Sequence, residues 1–233
     1  MNPCQSEFGQ FLEQQWKLHT KQPQLVREEL QKLQVAALSE EQRIHVGALA
    51  CHVHGEHLGE WRGGIAYIDS LLTAQPSMSS ETHLRLSRQR AILLKASGAP
   101  YGFENLNTSD HFHIITLATP AAILMSDPKL GVDIFAEALV LLPQLRDIAR
   151  HEKLFGVMTA NLTCDLIERN ELSSEQKTIL AIIAEKSFAI WQRIGDDFDK
   201  EKASFRLTQA YLAVRKPMGY GSGRYVRSVN IES

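Results

Sequence analysis

The sequence predicts an all-α protein, and three observations lead to that prediction. Apolar residues recur three and four positions apart along most of the 233 residues, which is the period of a helix with one buried face. Alternating apolar and polar runs of β-branched residues, which would predict strands, do not occur at useful length. Glycines, prolines and capping serines interrupt the helical pattern at short intervals. We therefore expect about ten helices, mostly antiparallel neighbours joined by short loops.

Five of these helices are predicted before the middle of the chain. Phe8, Leu12 and Trp16 lie four positions apart, on one face of the first helix. Ser39 is predicted to cap the third helix, because Gln42 follows three positions later in the pattern of a capping box. The predicted helices span 8–16, 24–33, 40–58, 61–73 and 81–97, the last of them capped by Ser80.

The rest of the chain contains one irregular segment and five more predicted helices. Gly98 and Pro100 break any helix at the start of 98–108, which makes this segment the candidate boundary if the domain divides. Pro120 is expected to kink the helix that contains it, and Asp110 is expected to cap the same helix. The predicted helices span 110–125, 129–142, 145–169, 174–194 and 198–215.

Composition and charge exclude several classes of protein. The formal net charge is −2, so the chain lacks the overall basic field that attracts nucleic acid. Cys4, Cys51 and Cys164 are far apart and match no metal-binding spacing, which favours reduced thiols. The N-terminal residues do not resemble a signal peptide, and no apolar run approaches the ~20 residues of a membrane span. We therefore expect a cytoplasmic protein that binds neither nucleic acid nor membrane.

A degenerate repeat runs through the predicted helices. The small residues Gly64, Gly131 and Ala184 are each followed by larger or apolar residues four and seven positions later. A helix-ending residue follows at about the twelfth position. In chain order these sets are Ile68, Leu71 and Pro76; Phe135, Ala138 and Pro143; Phe188, Trp191 and Gly195-Asp196.

These spacings are those of the second helix of a tetratricopeptide repeat. The chain resembles that family best in HLGEWRGGIAYIDSLLTAQP, and KSFAIWQRIGDDFDKEKASFRLTQAYLA is similar to a longer-helix variant in bacterial regulatory proteins. The resemblance covers 40–76, 110–143 and 175–214. It implies antiparallel helix hairpins stacked into a right-handed superhelix over 1–216. Residues 217–233 show no helical period, and we expect a flexible tail there.

The resemblance also implies a concave groove that holds a peptide or a partner's helix. Groove-facing positions are expected on the helices predicted over 40–58, 110–125, 145–169 and 198–215. These positions are Val46, Leu49, Val53, Glu56, His57, His113, Thr116, Asn161, Phe205 and Gln209.

The stretch CHVHGEH suggests a metal site as an alternative. Helical positions three or four apart share a face, so Cys51 with His54, His54 with His57, and His52 with Glu56 are the pairs that could chelate. No single face of an α-helix gathers three of these ligands. We therefore expect a structural cysteine and groove-lining histidines, with no metal or cofactor.

Three functions remain open at this point. The first is a non-catalytic adaptor that binds a protein or peptide in its groove, and an exposed apolar groove could also form a homodimer. The second is a regulatory protein that senses a peptide or ligand, with Asn161 and Arg206 as its polar contacts. The third is a metal-dependent enzyme that uses His52, His54 and His57. We expect the adaptor.

Overall fold

Helices make up nearly all of the chain that the structure describes. A computed structural model covers residues 7–74, 77–102, 106–169 and 171–215, and these residues contain no strand. The all-α prediction is therefore confirmed. The α-helices are α1 (Glu7–Leu18), α2 (Pro23–Gln31), α3 (Glu40–His52), α4 (Trp61–Thr73), α5 (Ser80–Ala96), α6 (Thr108–Met125), α7 (Pro128–Leu141), α8 (Ile148–Glu168), α9 (Ser174–Ile194) and α10 (Asp197–Arg215).

Hydrogen-bonded caps set the start of several helices. Ser39 and Gln42 form the predicted capping box of α3, and Ser173 begins α9 in the same way. The cap of α5 is Ser79 rather than the predicted Ser80, because the Ser79 hydroxyl accepts the Thr82 N–H. Two adjacent serines offer the same chemistry, so the sequence pattern alone could not choose between them.

Helix α6 differs from its prediction at its start and at its proline. Asn107 caps it by accepting the Asp110 N–H, so the expectation that Asp110 is the cap was wrong. Asp110 is instead buried and forms an ion pair with Arg88 of α5. The helix continues through Pro120, which is itself buried among its neighbours.

A π-helix follows α3 directly. It spans Val53–Leu58 and ends at Gly59, which has a left-handed φ of 64°. A residue with a side chain would be strained in this conformation, which explains the glycine. The sequence predicted one uninterrupted α-helix to Leu58, so the wider turn is a feature that the pattern did not show.

The helices pack with their neighbours in chain order and also two apart. Besides the successive pairs from α3 to α7 and from α8 to α10, α1 packs against α3, α3 against α5, α6 against α8 and α8 against α10. One hydrophobic core extends from Val26 in α2 to Ala210 in α10. These contacts place α1, α3, α5, α6 and α8 along one side of the molecule, where they line a common cavity.

The small residues of the repeat lie where helices approach closely. A Cβ at Gly64 would come within 2.7 Å of the Cβ of His54, and one at Gly131 within 2.8 Å of the backbone nitrogen of Ile123. The residues that follow them at the fourth and seventh positions are buried. These are Ile68, Leu71, Phe135 and Ala138.

Some predictions fall outside the described residues. They concern Cys4, Pro76 and the tail 217–233. Across the described ranges, no helix combines the length and apolar character that a membrane span requires.

Candidate functional site

A large cavity opens between the helices of one side. Its volume is about 930 Å³, which lies at the upper end of the range for small-molecule sites. Five α-helices, the turn after α1 and the π-helix contribute to its walls. Among its lining residues are Trp16, His19, Ile44, Ala48, His52, Glu56, Arg85, Arg88, Ile92, His113, Leu117, Ala121, Arg150 and Asn161.

The cavity walls combine apolar surface with charged groups. Ile44, Ile92 and Leu117 supply apolar contacts from three different helices. Arg85 forms an ion pair with Glu81 at 2.7 Å. Within the described chain, the exposed Arg150 forms no ion pair. The cavity can therefore hold an apolar group and pair a negative charge at the same time.

Three of the predicted groove residues line this cavity. Glu56, His113 and Asn161 are all part of its wall. His57 lies beside the wall, with its ring 4.8 Å from that of His52.

Four other predicted groove residues were placed incorrectly. Val46, Leu49, Val53 and Thr116 have no exposed surface, so none can contact a ligand in the cavity. On α3 the cavity-facing residues are one or two positions from the predicted ones. They are Ile44, Ala48, Cys51 and His52, which follow a helical spacing of four, three and one.

The residues predicted on α10 lie away from the cavity. Phe205 is 63% exposed, and neither it nor Gln209 or Arg206 belongs to the cavity wall. The structure thus does not bring α10 together with the other predicted groove residues.

Three histidines meet at one end of the cavity. One nitrogen from each of His19, His52 and His57 lies within 4.8 Å of the others. His19 follows α1, His52 ends α3 and His57 lies in the π-helix. In a regular α-helix, positions 52 and 57 would point about 140° apart. The π-helix removes this offset, and the two Nε2 atoms are 3.2 Å apart.

Hydrogen bonds orient two of these rings. The Nδ1 of His52 lies 2.7 Å from a carboxylate oxygen of Glu56, and the Nδ1 of His19 contacts the backbone carbonyl of Trp16. Both contacts direct the Nε2 of the ring away from its partner. The indole of Trp16 also packs against His52, at 5.6 Å between ring centroids.

The protonation of the three imidazoles differs because their surroundings differ. Burial, together with the nearby His52 and His19, lowers the pKa of His57 to about 4. Burial also lowers the pKa of His19. For His52 burial acts in the same direction, but the Glu56 carboxylate outweighs it and the net pKa is raised. Asp165 on α8 adds to that increase.

His54 and Cys51 do not join this cluster. His54 is 2% exposed and packs against Gly64, with its Nδ1 3.4 Å from Glu60. The Cys51 thiol donates to the backbone carbonyl of Gln89, and burial raises its pKa. Of the pairs considered as possible chelators, those of Cys51 with His54 and of His54 with His57 do not form, whereas His52 Nδ1 and a Glu56 carboxylate oxygen lie 2.7 Å apart.

His19 could not be predicted as a member of this cluster, because it lies 33 positions before His52. No spacing rule connects positions so far apart.

A second polar group lies at the other end of the cavity, where a smaller cavity of about 230 Å³ is lined by Arg88, Ser109, His113 and His151, among others.

Comparison of the chain with protein-family models, with curated proteins and with solved structures gave no match. The resemblance to tetratricopeptide repeats stays a prediction that rests on the residue spacing.

Proposed function

We propose that the protein is a non-catalytic adaptor with a tetratricopeptide-like superhelix, and that the cavity along α1, α3, α5, α6 and α8 binds a peptide segment of a partner protein. The observation that carries this proposal is the cavity of about 930 Å³, which a single row of helices lines. Stacked helix hairpins commonly use such a concave row to bind partners.

The chemistry of the walls indicates the type of segment. Apolar surface from Ile44, Ile92 and Leu117 suits aliphatic or aromatic side chains. Arg150 has no ion pair among the described residues and suits an acidic group. We infer a segment with apolar anchors and at least one carboxylate.

Affinity capture from a cell lysate, followed by titration of the captured partner in purified form, tests this proposal. Ala48 lies in the cavity wall, so Ala48→Arg should fill the cavity and weaken binding more than about 10-fold. Arg150→Glu should weaken it through charge repulsion by a similar factor.

Two matched variants on α4 control for the substitutions themselves. Ala66 and Arg62 are exposed on α4, outside the cavity wall, so Ala66→Arg and Arg62→Glu should leave the affinity unchanged. If a partner binds equally well to all four variants, its binding site lies elsewhere and the proposed groove is wrong.

A regulatory protein that senses a small ligand is the second candidate. It is favoured by the size of the cavity and by its convergent polar groups, His113 and Asn161. A short acidic peptide or a small carboxylic acid that raises the melting temperature in a saturable way would support this candidate. Ala48→Arg should abolish that shift.

A further inference from the structure

The histidine cluster has the dimensions of a metal site. In tetrahedral coordination with Zn–N distances near 2.0–2.1 Å, two ligand nitrogens lie about 3.3 Å apart. The Nε2 atoms of His52 and His57 are separated by 3.2 Å, and the nitrogen of His19 lies within 4.8 Å of both. A small shift of the His19 side chain would complete the set.

The ring positions agree with this arrangement. Three imidazoles bound through one nitrogen to a common tetrahedral ion have ring centroids about 5 Å apart, given those bond lengths. The observed distances are 4.9 Å for His19 and His52, 5.2 Å for His19 and His57, and 4.8 Å for His52 and His57. The three rings therefore surround one point rather than stacking in a row.

Outer contacts orient the ligands in the way that metal sites require. A metal-binding histidine usually donates its second N–H to a carboxylate or a backbone carbonyl. Glu56 fills this role for the Nδ1 of His52, at 2.7 Å, and the Trp16 carbonyl does so for the Nδ1 of His19. In both rings Nε2 is left for a metal.

A hydrogen bond between histidines does not account for the cluster. Such a bond explains the approach of His52 to His57, but it gives no reason for a third ring at the same point. The π-helix adds to the argument, since it costs regular helix geometry and such turns are frequent at functional sites. Its effect here is to bring positions 52 and 57 onto one face.

We propose that His19, His52 and His57 bind a divalent transition-metal ion, with Zn²⁺ as the expected ion. Three imidazole nitrogen ligands favour Zn²⁺ and its neighbours in the first transition row over Mg²⁺ or Ca²⁺, which prefer oxygen. His19 and His52 both line the large cavity. A fourth coordination position thus faces the cavity, open to water or to a donor atom of a bound ligand.

Zinc titration of the untagged protein, after dialysis against a chelator, tests the site. With a chromophoric chelator as competitor, we expect one Zn²⁺ per chain. His19→Ala and His57→Ala should each weaken binding more than about 100-fold, since loss of an outer partner alone costs about 10–100-fold. Glu56→Gln should show that smaller effect. Co²⁺ in place of Zn²⁺ should give the visible absorption of a tetrahedral nitrogen site.

The control is His45→Ala, because His45 is exposed on α3 and lies outside the cluster. It should bind Zn²⁺ like the unmodified chain. Circular dichroism checks that each variant is folded. His19 and His57 lie in separate segments of the chain, so if one of these two variants fails to fold, the other still tests the site. The proposal is overturned if the chain binds no stoichiometric Zn²⁺, or if either folded variant, His19→Ala or His57→Ala, retains full affinity.

Discussion

The histidines of this chain meet several different environments, and those environments decide what each side chain can do. His54 is enclosed in the core beside Gly64. The Nε2 of His111 lies 2.7 Å from a carboxylate oxygen of Glu137. His113 faces the cavity between helices, and His52 joins the three-ring cluster. The residue type alone therefore says little about role.

His113 makes the stability of the fold depend on pH. Burial and the nearby Arg88 lower its pKa to about 4, with His151 and Arg150 acting in the same direction and Asp110 opposing them. Because the folded pKa lies below the ordinary value of about 6.5, unfolding takes up a proton between these values. The contribution of His113 to the free energy of unfolding is fully present above pH 6.5, and about 3 kcal/mol of it is lost as the pH falls toward 4.

Urea denaturation between pH 7 and pH 4 measures this dependence, and NMR titration of the His113 ring measures its pKa. His113→Gln should remove part of the stability loss on acidification. A His113 pKa at or above 6.5 would contradict the assignment, as would an unchanged pH profile in the variant.

At this scale the sequence pattern related side chains only where they are close in the chain, as with His52 and Glu56, which are four positions apart and in contact. Of the expected groove residues, Glu56, His113 and Asn161 line the cavity, although no spacing rule relates the three to one another. The pattern failed for His19, whose partners are more than thirty positions away. It also failed for Val46 and Leu49, because a helix with two buried faces has no unique outward stripe in the pattern.

The ends of the helices follow local rules, and most were predictable. The bounds of α4 match the prediction, and those of α9 do as well. The π-helix was not predictable from periodicity, since its extra residue per turn comes from packing rather than from composition. Gly59 ended the segment as expected.

The cap of α5 distinguishes the structure from the sequence prediction. Ser79 accepts the Thr82 N–H and also donates to Glu40 on α3. Ser79→Ala should therefore lower the free energy of unfolding by about 1 kcal/mol. Ser80 is exposed in the first turn, and Ser80→Ala should change it by less than about 0.5 kcal/mol. Chemical denaturation of both variants measures the difference, and the reverse order would show that Ser80 is the cap.

Two adjacent glycines in α4, Gly63 and Gly64, can be used to test how closely the neighbouring residues pack against this helix. A Cβ at Gly64 would lie 2.7 Å from the Cβ of His54 and 2.9 Å from Leu93, whereas one at exposed Gly63 has its nearest neighbour at 3.4 Å. Gly64→Ala should destabilise the fold by about 1–3 kcal/mol through overpacking. Gly63→Ala should stabilise it by up to about 1 kcal/mol through helix propensity.

Thermal or urea denaturation of the two alanine variants measures both changes in stability, the expected loss for Gly64→Ala and the expected gain for Gly63→Ala. If both alanine variants were more stable, α4 would not be packed closely against His54, and the small position of the repeat would have no structural role.

At the scale of the whole molecule, the cavity lies along one row of helices. Helices α1, α3, α5, α6 and α8 line the cavity, and α4, α7 and α9 contribute nothing to its wall. The all-helical class and the packing of successive helices were predictable from the helical period of the apolar residues and from the glycines, prolines and capping residues that interrupt it. The position of the cavity required the three-dimensional stacking, because it depends on which helices pack two apart.

Hydrogen–deuterium exchange of the full chain, with and without the captured partner, tests most directly the claim that this row binds a partner segment. The account predicts slower exchange in α3, α5, α6 and α8 on binding, and unchanged exchange in α4, α7 and α9. Protection confined to α4, α7, α9 or the exposed face of α10 would contradict it, because the partner would then bind outside the cavity.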